Sequence, residues 1–426
     1  MNKISLIWKT KDLRVRILWI IGLLLVTRIF AHIPIPGVDA SALKSALDQN
    51  QFLGLLDLFS GGGLTNFSLA MLGVGPYITA SIIIQLLAVI IPSLGEMQKE
   101  GGEQGRLKMN MYMRYLTIPL ALLQGFGTIR LLQSQAGGQL LPSFTSYQWF
   151  LTLLAVTAGT MIIMWIGEII TEYGIGNGVS LVIFAGIVAR LPFSLKSVVS
   201  FYDPSRLPVF IGYIAIGLLV VAGIILITEA QRNIPISYAR RVRGDKQYGG
   251  VNTHLPLRLN QAGVIPIIFA ISMLLFPALI AQFFVNAKSA VIANFAGKVI
   301  SLFNSQNMYY GIAYFVLVVV FTYFYTAVVF NPDEVAENVQ KNGGFVPGLR
   351  PGKQTADYLY KVLNRITLPG AVFLGFIAIM PFLLQKFTGT QALTLGGTSI
   401  LIVVAVVIET IKQIEAQLSV HDYDEL

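Results

Sequence analysis

The sequence predicts an all-α polytopic membrane protein with ten transmembrane helices, and three observations carry that expectation. Hydrophobic residues make up 55% of the chain and charged residues only 12%, where a soluble domain carries roughly 25% charged. The apolar residues gather into runs of about 20, the length of a helix that crosses the hydrocarbon core; barrel strands would be about half as long and alternating. Lys and Arg are distributed unevenly between the loops on the two sides, as in chains whose cationic loops resist translocation. A mean hydropathy of +0.70 agrees. Such a surface needs lipid as its solvent, and in lipid only helices or closed barrels satisfy the backbone.

In chain order the spans are predicted over residues 17–33, 71–92, 111–133, 149–168, 177–195, 209–228, 263–285, 308–330, 366–384 and 393–411. The first is expected to be a span and not a cleaved leader, because it is long and is followed by His32-Ile33-Pro34-Ile35-Pro36 in place of a small-residue cleavage site. With the N-terminus in the cytosol, 21 Lys and Arg fall on the inside against 8 on the outside, Arg28 lying within the first span. Lys44, Arg130, Arg190, Lys196, Arg206, Lys288, Lys298 and Lys386 are the outside set. An even number of spans returns the C-terminus to the cytosol. The closing His421-Asp422-Tyr423-Asp424-Glu425-Leu426 is then a solvated acidic tail, out of reach of a lumenal retention receptor.

The spans divide five and five at residues 190–208, giving an N-terminal half, 1–195, and a C-terminal half, 196–426. An odd number per half threads the second half upside down, the arithmetic of an inverted repeat, although the halves show no sequence self-similarity.

Three segments are not ordinary spans. Residues 52–69 are apolar but too short to cross, and are broken by Gly61-Gly62-Gly63. They read either as an interfacial helix or as a re-entrant, glycine-hinged stopper, weakly anchored and enclosed by protein. The cytosolic loops 229–262 and 331–365 are longer than a connection requires. The first holds Arg240, Arg241 and Arg243, the second Gly348-Leu349-Arg350-Pro351-Gly352. Such arginines fit either the inside-positive bias or a docking surface. The second loop is not a phosphate loop: its spacing is one residue short and Gln354 replaces Ser/Thr.

The absences narrow the function. No cysteine is present, which excludes disulfides, thiolate metal sites and cysteine nucleophiles. His32, His254 and His421 are too scattered for a metal cluster. No cofactor or metal is expected, and any energy source lies in a partner. The net charge of +9 is assigned to lipid-facing loops and not to nucleic acid. The middles of the spans carry almost no ionisable residues, unlike ion-coupled carriers. Some carry isoleucine runs such as Ile82-Ile83-Ile84, which fit either helix packing or a dewetting constriction.

Several motifs together resemble the SecY family, the pore subunits of bacterial-type Sec protein-translocation channels. They are Ile33-Pro34-Ile35-Pro36-Gly37, Phe59-Ser60-Gly61-Gly62, the run from Pro76 to Leu87, Gly174-Ile175-Gly176-Asn177-Gly178, Phe330-Asn331-Pro332, the run from Phe345 to Gly352, and Gly396-Gly397-Thr398-Ser399. The resemblance spans essentially the whole chain. It implies two five-helix halves around a central pore that passes unfolded secretory chains across a cell (plasma or inner) membrane and releases membrane segments sideways. Carried onto matching positions, it implies a pore ring of Ile78, Ile82, Val179, Ile183, Ile268 and Ile402. The plug would be residues 57–69, with Asp57, Phe59, Gly61, Gly62, Gly63, Leu64, Asn66 and Phe67. A lateral gate would run between spans two to three and seven to eight, near Ser81, Gln85, Asn177 and Phe276. Arg350 and the Arg240, Arg241, Arg243 cluster would dock the motor ATPase SecA or a ribosome. SecE and SecG subunits, signal sequences, unfolded preprotein and membrane lipid are the remaining implied partners.

Two rivals stand against the channel that the resemblance implies, which would perform no covalent chemistry. An inverted-repeat solute carrier needs a polar site at the midplane. An intramembrane enzyme needs paired Asp, a Ser/His pair or a His-rich motif within its spans, and none is found.

Overall fold

The computed structural model describes residues 10–35, 57, 60–99, 102–135, 145–200, 207–238, 241–243, 246–248, 252–285, 289–303, 308–388 and 396–424. Each of the ten apolar segments falls on a helix: α1 (Lys11–Phe30), α2 (Gly75–Ile90), α4 (Gly102–Gln135), α5 (Ser146–Tyr173), α6 (Gly178–Ser200), α7 (Leu207–Glu229), α8 (Ile265–Phe284), α10 (Met308–Val329), α12 (Lys353–Thr388) and α13 (Gly396–Asp424). By length and composition alone, α4, α5, α10 and α12 can cross a membrane, and stretches of α2, α6, α7 and α8 are shorter apolar helices. Shorter helices α3 (Pro92–Lys99), α9 (Ala290–Leu302) and α11 (Pro332–Lys341) lie between them.

Local chemistry sets several helix starts. Proline occupies the first turn of α2 and α8, where its missing N–H would have had no partner. The backbone N–H of Thr145 donates to Gln148 Oε1 at 2.9 Å at the head of α5. Asn331 Oδ1 accepts from the Asp333 N–H at 3.2 Å, with Pro332 opening α11. These side chains occupy groups that the helix cannot pair for itself.

The helices outrun the apolar segments that announced them. α4 has 34 residues and α12 has 36, about 50 Å each at 1.5 Å per residue, well beyond the roughly 30 Å hydrocarbon core. The first turns of α12 form part of a separate small core of Ile234, Leu257, Ala336, Val346, Ala356, Leu359 and Val362. That core includes a sheet which hydropathy did not announce. β1 (Gln231–Tyr238) pairs antiparallel with β4 (Asn252–Arg258) and with β5 (Gly344–Phe345), in the order β4-β1-β5. β2 (Arg241–Arg243) and β3 (Lys246–Tyr248) form a second hairpin between β1 and β4. Both long loops are thus joined into one folded unit through β1 and β5. Pro256 stands in the outer strand β4, where a missing N–H also discourages pairing with another chain.

Among the apolar helices, α2 packs on α4, α4 on α5, and α5 on α6, with α1 against α5 and α6. α8 packs on α10, α10 on α12, and α13 on α7 and α12. Contacts of α8 with α2 and α4, and of α13 with α6, join the two groups. One continuous buried core runs through both.

Candidate functional site

The six residues expected to ring the pore come from four helices. Ile78 and Ile82 of α2, Ile183 of α6, Ile268 of α8 and Ile402 of α13 are all buried within the one large apolar core, and Val179 packs partly buried against it. Positions 78 and 82, and 179 and 183, are four apart, so each pair shares a helix face.

The glycine-rich segment enters the same core. Leu64 and Phe67 are each 1% exposed and belong to the cluster that holds the isoleucines. Among the described residues this segment is therefore enclosed by protein, not laid on the surface. Gly61 and Gly62 have φ of +66° and +90°, a region that only glycine enters at little cost. The Gly61 backbone approaches the Gly186 backbone of α6 so closely that a Cβ on Gly61 would stand 3.1 Å from the Gly186 Cα. The segment leaves by pairing with the Ile33-Pro34-Ile35 stretch after α1. The Ile35 N–H donates to the Phe67 carbonyl at 2.9 Å, and the Leu69 N–H to the Ile33 carbonyl at 3.1 Å. Asn66 Nδ2 donates to the Ala31 carbonyl at 3.1 Å. Two motifs distant in the sequence thus meet as one structure. Phe59 lies outside the described residues.

The anchoring differs from the expectation of a weakly held stopper. Asp57 is fully buried, and its carboxylate forms an ion pair with Arg190. Thr65 donates to it twice, through its N–H at 2.9 Å and its hydroxyl at 2.5 Å. Ser60 Oγ adds a contact at 3.2 Å. Arg28 Nη1 donates to the Gly61 carbonyl at 2.5 Å. Arg190, counted in sequence as an outside-loop cation, instead lies on helix α6 facing this segment. Sequence reasoning missed Arg28 and Arg190 because each charge sits near a span end and looks like an ordinary flank, and it missed Thr65 because a lone hydroxyl beside the glycines carries no pattern of its own. The available signal was periodicity: residues 179, 183, 186 and 190 follow the 3.6-residue repeat and make one stripe of α6.

Of the four residues expected at a lateral gate, three lie on helices that meet. Ser81 and Gln85 of α2 are joined by a 2.9 Å hydrogen bond, and Phe276 belongs to α8. Phe276 shares a cavity of about 30 Å³ with Leu64, Thr79, Gln124 and Thr128, in which Gln124 Nε2 donates to Thr79 Oγ1 at 3.1 Å. The glycine-rich segment therefore abuts the junction of α2, α4 and α8. Nearer the sheet, a groove of about 330 Å³ lies among Gln85, Arg106, Met109 and Asn110 on one side and Tyr325 and Val329 of α10 on the other. Asn177 is elsewhere. Its Oδ1 accepts from the Ser180 N–H at 3.1 Å, capping α6, whose packing partners are α1, α5 and α13.

Arg350 is exposed in a turn between β5 and α12. Gly348 and Gly352 on either side hold φ of +85° and +96°, and the Arg350 carbonyl accepts from Thr355 Oγ1 at 3.0 Å. Arg241 and Arg243 lie on strand β2 of the second hairpin, and Arg240 lies outside the described residues. No group of acidic and histidine residues suited to a metal occurs among the described residues.

Comparison with known proteins bears on this geometry. The SecY family profile matches residues 68–411. The chain is 44% identical over 430 residues to the protein translocase subunit SecY of Streptomyces scabiei, covering 98% of this chain and 97% of that protein. It is likewise 44% identical over 438 residues to the protein translocase subunit SecY of Mycobacterium tuberculosis, with the same coverage. A solved structure described as a protein conducting channel superposes with a TM-score of 0.62 at 18% identity, covering 93% of this chain and 91% of that one. A Sec61 chain from a canine ribosome-channel complex of the endoplasmic reticulum superposes at 0.58, with the same identity and coverage.

Proposed function

The chain belongs to the SecY family, a multi-pass, non-enzymatic protein-conducting channel subunit, and from that premise we propose how its residues divide the work. Ile78, Ile82, Val179, Ile183, Ile268 and Ile402 form an elastic gasket at the waist between an N-terminal half, 1–195, and a C-terminal half, 196–426. Residues 57–69 plug it at rest. Unfolded secretory polypeptide passes through the middle, and signal sequences and membrane segments leave between α2 or α4 and α8 or α10, past Ser81, Gln85 and Phe276. The observation that carries this is the burial of five of those isoleucines in the same core as Leu64 and Phe67. Cargo varies in sequence, so the pore cannot select by hydrogen bonding. A ring of flexible apolar side chains seals around any strand and excludes ions by dewetting.

Arg350 and the β2–β3 hairpin supply a cationic face for a motor ATPase of the SecA type or for a ribosome. Subunits of the SecE and SecG type complete the assembly in the cell membrane, with both termini in the cytosol. The distribution of Lys and Arg supports that orientation, and it puts the sheet on the cytosolic side. A solute carrier has no support, since the family to which the chain belongs is that of protein-conducting channels.

The test is Ile82→Asn in vesicles containing the assembled channel, together with secretion of a precursor carrying a defective signal. The ring requires raised ion leakage and admission of the defective precursor. Leakage and discrimination both equal to those of the parent would remove Ile82 from the gasket.

A further inference from the structure

We infer that the Asp57–Arg190 ion pair is the lock that seats the plug, and that these two are positioning residues for gating. The inference rests on the reading of residues 57–69 as a plug.

A carboxylate inside a membrane-spanning core persists only when paired and hydrogen-bonded. Asp57 is fully buried, and its two oxygens are taken up by Arg190, Thr65 and Ser60. Arg190 Nη2 also reaches Thr65 Oγ1 at 3.2 Å, so one guanidinium grips both ends of the turn that contains the glycines. The grip depends on the stripe along α6. Val179 and Ile183 sit lowest on it, Gly186 receives the Gly61 backbone, and Arg190 stands one turn beyond Gly186. Helix α6 therefore carries part of the gasket and the catch of the plug on one face. Arg28, at the end of α1, adds a second cation on the Gly61 carbonyl.

The physics favours a switch over a permanent staple. The Arg190 side chain keeps 29% exposure while Asp57 keeps none. When the plug leaves, the vacated space hydrates both groups, Asp57 most of all. Breaking the pair by removing one member is different, because it strands the other charge inside the core. The lock thus resists partial loosening and releases as a unit with the plug.

Removing the charges singly and together tests this. Asp57→Asn, Arg190→Gln and the doubly neutral pair Asp57→Asn/Arg190→Gln are assembled with the partner subunits, and resting ion conductance and secretion of a defective-signal precursor are measured. Asp57→Asn keeps the shape of the side chain, and Arg190→Lys serves as the conservative variant. Each singly neutral variant is expected to raise resting conductance by about tenfold or more, as an uncompensated buried charge destabilises the seated state. The doubly neutral pair, which strands no charge, should leak no more than the worse single variant, and Arg190→Lys should recover much of the seal. Silent single variants, or single effects that simply add in the doubly neutral pair, overturn the lock. Because the chain has no native cysteine, Ala31→Cys/Asn66→Cys provides an independent control by tying the segment to the end of α1. If the bridge blocks secretion while the charge variants are silent, the plug stands and the lock falls. If the bridge leaves secretion intact, the plug reading fails, and the inference with it.

Discussion

The Phe126 ring of α4 stacks on the Phe283 ring of α8, with centroids 4.7 Å apart and planes inclined by 24°. It does so at the end of the α4–α8 contact remote from the sheet. Phe126 also lies 5.0 Å from the Trp149 ring of α5. The Arg130 guanidinium, one turn further along α4, sits over both rings at 5.4 and 5.1 Å. Cation, indole and two phenyl rings thereby close the far end of the seam, while the groove beside Gln85 leaves the near end parted.

Phe283→Ala should loosen that closure. An aromatic pair contributes about 0.5–1.5 kcal/mol beyond the area it buries, enough to shift a closed-to-open ratio severalfold. Spin labels at Gln133 and Val285 report on it: the distance distribution should broaden and lengthen in the variant. An unchanged distribution would show that the stack does not hold the seam.

Polar substitution on α13 should depend on which face it strikes. Ile402 is 4% exposed and Val407 on the same helix is 37% exposed. Ile402→Asn places an amide in the apolar waist, where an unpaired polar group costs about 1–3 kcal/mol by mutational measures. It should raise ion leakage and relax signal discrimination. Val407→Asn should leave both near the parent value. Equal effects at the two positions would argue for general destabilisation and against a ring.

Two Gly→Ala changes should have opposite signs. At Gly61, φ is +66° and the new methyl would press on the Arg28 guanidinium and Gly186; the left-handed conformation alone costs about 1–2 kcal/mol. At Gly22, inside α1, nothing lies within 4 Å, and alanine should stabilise by roughly 0.5–1 kcal/mol. Thermal unfolding of the purified assembly should separate them, with Gly61→Ala lower and Gly22→Ala level or higher. A fall for Gly22→Ala or none for Gly61→Ala contradicts the account of the glycine turn.

Arg350→Glu should abolish motor-driven secretion without harming the fold. The residue is exposed, and surface changes of this kind usually stay within about 0.5 kcal/mol. Immunoblots should find normal amounts in the membrane while secretion in vitro collapses. Secretion at the parent rate would dismiss the docking role.

The helical skeleton was legible because lipid imposes a length and a composition on anything that crosses it. All ten apolar segments fall on helices, and the boundaries slipped where charged residues continued a helix past the apolar stretch, as in the first turns of α12. The sheet was not legible. β1 and β5 are about a hundred residues apart, and a two-residue strand has no periodicity of its own. Helix α9 was likewise folded into an outside loop because it is too short to read as a span.

At the candidate site, the isoleucines were located by resemblance; their i, i+4 spacing could not tell a pore face from a lipid face. The charges were misread in kind. Arg28 and Arg190 each look like the flank of a span, and Asp57, though placed in the plug, gave no sign of its ion pair with Arg190.

What the sequence alone determined was the solvent and the scaffold. Twenty-residue apolar runs demand lipid, and backbone groups in lipid demand helices. Which buried charge meets which partner was decided only by the fold. An Asp–Arg contact across 133 positions depends on Gly61 and Gly186 letting two backbones touch, and no local pattern encodes a distance between segments that far apart in the chain.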